Sequence, residues 1–474
     1  MKKTNFISII FLAAVLFSGC KENFLDQEKP LVATEGLIYT NGDQTLMALQ
    51  GLYSTLKGVY TVDKGVEGDF MGGKTYVAFD NRGDDIKNLD PNLVTLFDTY
   101  QMRVGISSQE NEAAWYQAYL TINRSNVFIQ SIEDFKTADV VGEATAKQYV
   151  AEAKFIRSLT YYYLLHLYAT PYVVDKEAIA FPLRLTAVKG SGESQFPSSK
   201  VKDVYAAILD DLSDANIQEL PAASNSADAV TRATQGAAYM LRMRVYMAMA
   251  DWQNALNDGL KVTGYELAKT VTAQFATPYY TKETIFALPQ STNDKPNTQK
   301  GLTEYYRTGS ICVIDKDNGV MSLPEYSLPD DQRVAAFDDN GRLAKWDQSD
   351  KLQWVPIFRF AETKLNLAEC YAKLNNAAGA RAALNDVRSR SISPADDILD
   401  VSTLSGNDLL NAITNEKRLE FLGEGMRGIE IMRKGEHFIK KGLNLDVAPG
   451  STEYTWPVPQ SERVVNSLWN TLAK

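Results

Sequence analysis

The sequence predicts a mostly all-α fold: a tetratricopeptide-like helical scaffold with long irregular loops set between its helices. Three observations lead there. Apolar residues recur at helical spacing over most of the chain, two helix pairs repeat one large-to-small spacing, and glycine and proline collect in two long stretches between the periodic segments. No stretch reads as an interdomain linker, so one compact unit is expected.

The helices follow in chain order. Residues 44–56 place Leu46, Leu49, Leu52 and Tyr53 on one stripe. Residues 113–132 continue the pattern with Trp115, Tyr119, Ile122, Val127 and Ile129. A third amphipathic stretch over 146–167 ends before Pro171, whose ring cannot continue a helix. Ser198 and Ser199 offer an N-cap to a helix over 201–215. Further helices are expected over 231–250, 252–262, 360–374, 377–390 and 409–422. Tyr246 stands nine residues before Ala255, and Tyr371 nine before Ala380. A large residue late in one helix facing a small one early in the next is how tetratricopeptide hairpins pack, and stacked pairs bury stripes that one pair leaves open.

Two segments break the periodicity. Residues 60–103 are rich in Gly, Asp and Asn with aromatics interleaved, and 264–352 carry Pro278, Pro289, Pro296, Pro324 and Pro329. Loops of this length in a compact unit are functional or disordered, and their aromatics argue for order.

The first thirty residues set the location. Lys2 and Lys3 precede an apolar run over 6–17, broken only by Ser8 and closed by Ser18, Gly19 and Cys20. The run falls short of the roughly 20 apolar residues that span a bilayer and has the order of a secretory signal. The small residues before Cys20 look like a lipobox, with Phe17 where Leu is usual. Residues 1–19 are therefore expected to be a signal peptide, with Cys20 lipidated and 21–30 a polar tether.

Composition excludes several classes. A net charge of −10 argues against nucleic acid, whose phosphates need a basic face. Cys312 and Cys370 stand far apart with no metal-binding spacing and read as buried free thiols. The only histidines are His166 and His437, which disfavours the common histidine-based catalytic and metal sites, and no nucleophile-elbow, zinc-protease, P-loop or dinucleotide motif is present. A glycosidase needs only two carboxylates, so 59 acidic residues leave that class open.

Several blocks resemble, in order, the SusD/RagB family of outer-membrane nutrient-binding lipoproteins. They are residues 20–30 (CKENFLDQEKP), 115–126 (WYQAYLTINRSN) and 151–172 (AEAKFIRSLTYYYLLHLYATPY), then 358–390, 416–435 (EKRLEFLGEGMRGIEIMRKG) and the closing Trp456-Pro457-Val458-Pro459 with Glu462. Lys154 replaces the family's usual Arg, and Ala169 stands where Gly is common. The resemblance implies an N-terminal region over 20–270 and a C-terminal region over 271–474, with loops as the ligand face. It implies a lipid-anchored outer-membrane protein, facing the cell exterior, that captures a glycan or oligosaccharide. It also implies a SusC-like TonB-dependent transporter as partner, and no catalysis. Oligopeptide capture, as in the RagB branch, is the alternative, and a lipid-anchored glycosidase the alternative of another class.

Sugar recognition needs flat aromatic faces and planar polar groups in exposed loops. The first loop offers Phe70, Tyr76, Phe79, Asn81, Arg82, Asp84 and Asp85; the second offers Tyr279, Tyr280, Tyr305, Tyr306 and Trp346. No cofactor is indicated, although Asp80, Asp84 and Asp85 leave room for a structural calcium ion. Glu416, Glu420 and Glu424 share a helix face near Arg418, Arg427 and Arg433 and read as scaffold ion pairs, because like charges at that spacing repel unless paired.

Overall fold

Side-chain caps fix where several helices begin. The computed structural model describes residues 30–58, 70–190, 194–224, 226–347 and 350–472; the expected signal peptide, Cys20 and the expected tether up to residue 29 lie outside the described residues. Helices α1 (Pro30–Tyr39) and α2 (Gly42–Lys57) open the described chain. Asn41 caps α2 by accepting from the Gln44 amide, and Gly58 closes it in the left-handed conformation. Then come α3 (Lys74–Arg82), α4 (Gln109–Asp134) and α5 (Glu143–Tyr168), the last ending before Pro171 as expected. The start of α6 (Val201–Asp211) differs from expectation. Ser198 and Ser199 belong to strand β3 (Ser198–Lys200), paired with β2 (Ile179–Pro182), and the Asp203 carboxylate accepts from the Lys200 amide instead.

The stacked pairs form as the Tyr-to-Ala spacing predicts. Helices α7 (Gln235–Ala248) and α8 (Trp252–Gly259) make one hairpin, and α9 (Phe360–Lys373) and α10 (Ala377–Ser391) make another. Their entry turns are alike: Asp251 accepts from the Asn254 amide and Asn376 from the Gly379 amide. Helix α8 packs on α9, while α11 (Gly406–Glu420) covers α9 and α10. Ala255 and Ala380 are fully buried at the crossings, where a small side chain lets the backbones approach. Beside them α4 packs on α5, and α2 lies against both. A continuous buried cluster runs from Tyr39 to Val458. Its centre is α5, whose residues Tyr161 to Tyr168 are all buried. His166 is part of this core: Nδ1 lies 2.8 Å from the Tyr162 carbonyl, and burial pushes the imidazole down to about 4, so it stays neutral.

The two long segments are more structured than the sequence suggests. Within 60–103, of which residues 59–69 lie outside the described residues, α3 and strand β1 (Ile86–Asn88) form. Strand β1 pairs antiparallel with β5 (Cys312–Ile314), so the two segments are stitched together. Strands β4 (Thr284–Leu288) and β6 (Val355–Arg359) pair likewise, Thr284 opposite Arg359. Helix α12 (Arg427–Lys434) and the hairpin of β7 (Phe438–Lys440) with β8 (Leu445–Val447) follow α11. Among the described residues no helix is long and apolar enough to cross a membrane.

Overpacking the two crossings should be costly. Ala255→Leu and Ala380→Leu should each lower stability by about 1–3 kcal/mol in urea unfolding. Gln253→Leu, on the exposed side of α8, should change it by less than about 0.5 kcal/mol.

Candidate functional site

Nearly every side chain predicted to contact a ligand is in the interior. Residues 74–82 were expected in a loop, but they form α3, and every one of them is buried. Phe70 and Phe79 are fully buried, and Phe79 meets Tyr163 edge-on at 5.5 Å. The Tyr76 hydroxyl donates to the Pro356 carbonyl at 2.8 Å. Arg82 donates to the carbonyls of His166 (2.7 Å) and Tyr454 (2.5 Å) and lies over the Phe438 ring, tying α3 to α5 and to the C-terminal segment. Asn81 is buried beside Cys312, whose thiol points at its side-chain oxygen. From the second loop, Tyr305, Tyr306 and Trp346 are also buried. Trp346 donates to the Gly423 carbonyl at 2.9 Å, and the Tyr306 hydroxyl to Asp80 at 2.7 Å. The structure thus brings the two predicted loops together, but inside the fold: their aromatics fill a core and their polar groups satisfy backbone. The reason is burial, since a helix and two paired strands need an apolar underside that the amino-acid pattern did not reveal.

The acidic trio meets donors. Asp80 accepts from Tyr306 and from the Gly425 amide; Asp84 and Asp85 are held by Arg418 and Arg427, with Arg427 Nε 2.6 Å from Asp84 and Arg418 Nη2 2.7 Å from Asp85. Guanidinium groups occupy two of the three carboxylates that a calcium ion would use. Burial pushes Asp80 up to about 7 despite its two hydrogen bonds. Burial opposes ionisation of Asp84 too, but Arg427 and Arg418 outweigh it and hold that carboxyl well below the usual range.

The glutamate row is a structural network, as expected, but with other partners, and Glu424 lies beyond the end of α11 in the following turn rather than on the same helix face. Glu416 pairs with Arg333 and Arg388. Glu420 pairs with Arg359 (2.6 Å) and Arg390 (2.5 Å), and Glu424 with Lys345 (2.6 Å) and Arg359 (2.8 Å). Burial disfavours the Glu420 carboxylate, yet Arg390, Arg359 and Arg333 hold it well below the usual range. Arg433 instead joins Glu369 and Glu430, with Lys417 beside them.

Three features remain at the surface. A cleft of about 180 Å³ beside Asp84 is lined by Tyr100, Asp315, Asn318 and Arg418. Tyr280 and Trp354 stack with ring centres 5.4 Å apart and planes 15° from parallel, both partly exposed, with Tyr279 partly exposed beside them in sequence. A larger groove of about 430 Å³ runs past Trp252 between α8, α9, α11 and α12. Tyr280 was foreseen by its place in a proline-rich loop. Trp354, just before β6, and Trp252, which opens α8, were not.

Comparison with known proteins places the chain. A SusD superfamily protein from Bacteroides fragilis is 50% identical, with 91% of this chain and 100% of that one covered and a TM-score of 0.87. The chain belongs to the SusD family. The family model described as "SusD family" matches residues 273–470, and one described as "Starch-binding associating with outer membrane" matches 72–247. The SusD-like protein P25 of Formosa agariphila is 22% identical over 92% of this chain and 90% of its own. A laminarin-binding SusD-like protein shares the fold, with 18% identity, 92% and 99% coverage and a TM-score of 0.70.

The segment that most specifically resembles the SusD family, 416–435, is explained by packing. Gly425 has φ of +68°, and a Cβ there would fall 2.7 Å from the Tyr76 carbonyl oxygen. At Gly428 a Cβ would fall 2.3 Å from that of Phe79. The turn therefore lies directly on α3, and only glycine permits that approach. Removing Glu424 would leave Lys345 and Arg359 short of a buried partner, so Glu424→Ala should cost about 3–5 kcal/mol in urea unfolding. Asp80 should show in the pH dependence. Its raised pKa gives a stability contribution complete below about pH 4 and lost as pH rises through 7. Asp80→Asn stays neutral, so its stability relative to the natural protein should improve from pH 5 to pH 8. An unchanged gap between their urea midpoints would refute this.

Proposed function

We propose that this protein is a lipid-anchored, non-enzymatic surface receptor that captures a glycan or oligosaccharide and hands it to a SusC-like TonB-dependent transporter. Membership of the SusD family supports the class, and the family description "Starch-binding associating with outer membrane" supports both ligand and place. A laminarin-binding relative with the same fold is in keeping with it. The signal-like leader and Cys20 support the anchor.

The observation that carries the reading on this chain is the Tyr280–Trp354 pair. Two stacked, nearly parallel rings, each partly exposed, on segments preceding β4 and β6 in sequence, leave an outer ring face as the flat apolar surface that a pyranose ring covers. Ring stacking brings the two segments together beside the antiparallel β4–β6 pair, in which Thr284 stands opposite Arg359. Arg359 and Glu283 reinforce it, bonded at 2.7 Å. The buried candidates Phe70, Tyr76, Phe79, Tyr305, Tyr306 and Trp346 then act by supporting the surface rather than by touching ligand.

Calorimetry with laminari-, malto- and xylo-oligosaccharides tests this directly. The natural protein should bind at least one series, and Tyr280→Ala and Trp354→Ala should each weaken that binding by about tenfold or more, as loss of an aromatic anchor does. Unchanged affinity in both variants would overturn the platform assignment. Release of shorter sugars from any of these substrates would overturn the non-enzymatic reading, and binding of a peptide mixture but no sugar would overturn the ligand class.

A further inference from the structure

The groove past Trp252 has a different chemistry from the Tyr280–Trp354 pair and shares no residue with it. Its volume of about 430 Å³ falls within the usual range for small-ligand sites, which is about 300–1,000 Å³. Trp252, the first residue of α8, is partly exposed and forms one wall. Asn407 and Asn411 also line the groove and stand four residues apart on α11, so their amides share one helix face. Both are exposed, and neither side chain makes a hydrogen bond to the described residues. An indole and two open planar amides lining one groove are groups that suit a sugar ring with vicinal hydroxyls.

The remaining wall is cationic. Lys434 lines the groove with Nζ 2.9 Å from the Thr414 hydroxyl, which leaves its other ammonium hydrogens open. Burial depresses its basicity, so a nearby anion would favour its charged form. Below it Arg433 is almost fully buried. Nε and Nη2 are bound by Glu430 and Glu369, while Nη1 has no hydrogen-bond partner. At the rim, the exposed Lys373 places its ammonium 5.6 Å from the centre of the Trp252 ring, on a flexible stem that can swing aside. Three carboxylates temper this charge: Glu369 and Glu430, committed to Arg433 and Lys417, and the exposed Glu436, 3.9 Å from Lys434.

We propose that this groove is a second saccharide site, selective for an acidic sugar unit, with the pyranose ring on Trp252, hydroxyls on Asn407 and Asn411, and the carboxylate at Lys434 above Arg433. A neutral sugar would leave the cationic wall unused. The inference stands apart from the platform reading, because each site has its own variants.

The test is calorimetry of the mature chain with trigalacturonate, with laminaritriose as the neutral control and the tripeptide Gly-Gly-Asp as a carboxylate without a sugar ring. Trigalacturonate should bind and weaken as salt is raised. Trp252→Ala and Asn411→Ala should each reduce its affinity about tenfold, while Tyr280→Ala leaves it unchanged. Asn411 is exposed, so its variant reports on the groove even if Trp252→Ala disturbs folding. The proposal is overturned by absence of trigalacturonate binding at millimolar concentration, or by equal binding in the Asn411 variant. It is equally overturned by laminaritriose binding as tightly at the same residues, or by Gly-Gly-Asp taking the place of trigalacturonate.

Discussion

Arg359 and the two glutamates it holds, Glu420 and Glu424, are the joint on which the rest of the molecule depends. A guanidinium in the interior loses its hydration and is stable only where carboxylates and carbonyls replace that water. Here Glu283, Glu420, Glu424 and the Glu420 carbonyl do so, bringing together β6, the start of β4 and the end of α11. Lys345 and Arg390 extend the same cluster into the second loop and α10. Each cation is shared, so removing one carboxylate strands charge in several elements at once.

The turn after α11 converts this network into shape. Because Glu424 is held from one side and Gly425 and Gly428 lie against α3 on the other, residues 70–85 are pressed into the core. The two irregular segments are thereby fixed as a floor, and what reaches solvent is what borders that floor. The Tyr280–Trp354 pair flanks the β4–β6 strands in sequence, and the Trp252 groove lies over a second cluster of Lys417, Glu369, Arg433 and Glu430. Rigid charge clusters beneath open aromatic faces suit recognition of stiff ligands such as sugars, since little ordering is left to occur on binding.

Helix positions were readable because a 3.6-residue period and the stop at Pro171 are local signals. The Tyr-to-Ala spacing even foretold which helices pair. Helix α3 escaped because its polar residues, Lys74, Asp80, Asn81 and Arg82 among them, are buried along with its apolar ones, so burial follows no polar–apolar period. The loops' aromatics misled because aromatic residues beside Asp and Asn look alike whether they fill a core or face a ligand. Trp354 and Trp252 were overlooked because nothing in their immediate sequence distinguishes a ring with one face covered from a ring with both.

What the sequence determined by itself was the helical scaffold, its paired crossings, the need for the Glu416 row to be neutralised, and the family to which its ordered blocks point. What only the tertiary structure decided was which charges meet and which rings stay outside. Arg418 and Arg427 lie close to the glutamate row in sequence, yet they bind Asp84 and Asp85, more than three hundred residues away. The glutamates take arginines from other elements. Helical periodicity is a property of neighbours along the chain, whereas ion pairing and exposure are properties of surfaces that exist only once distant segments have packed.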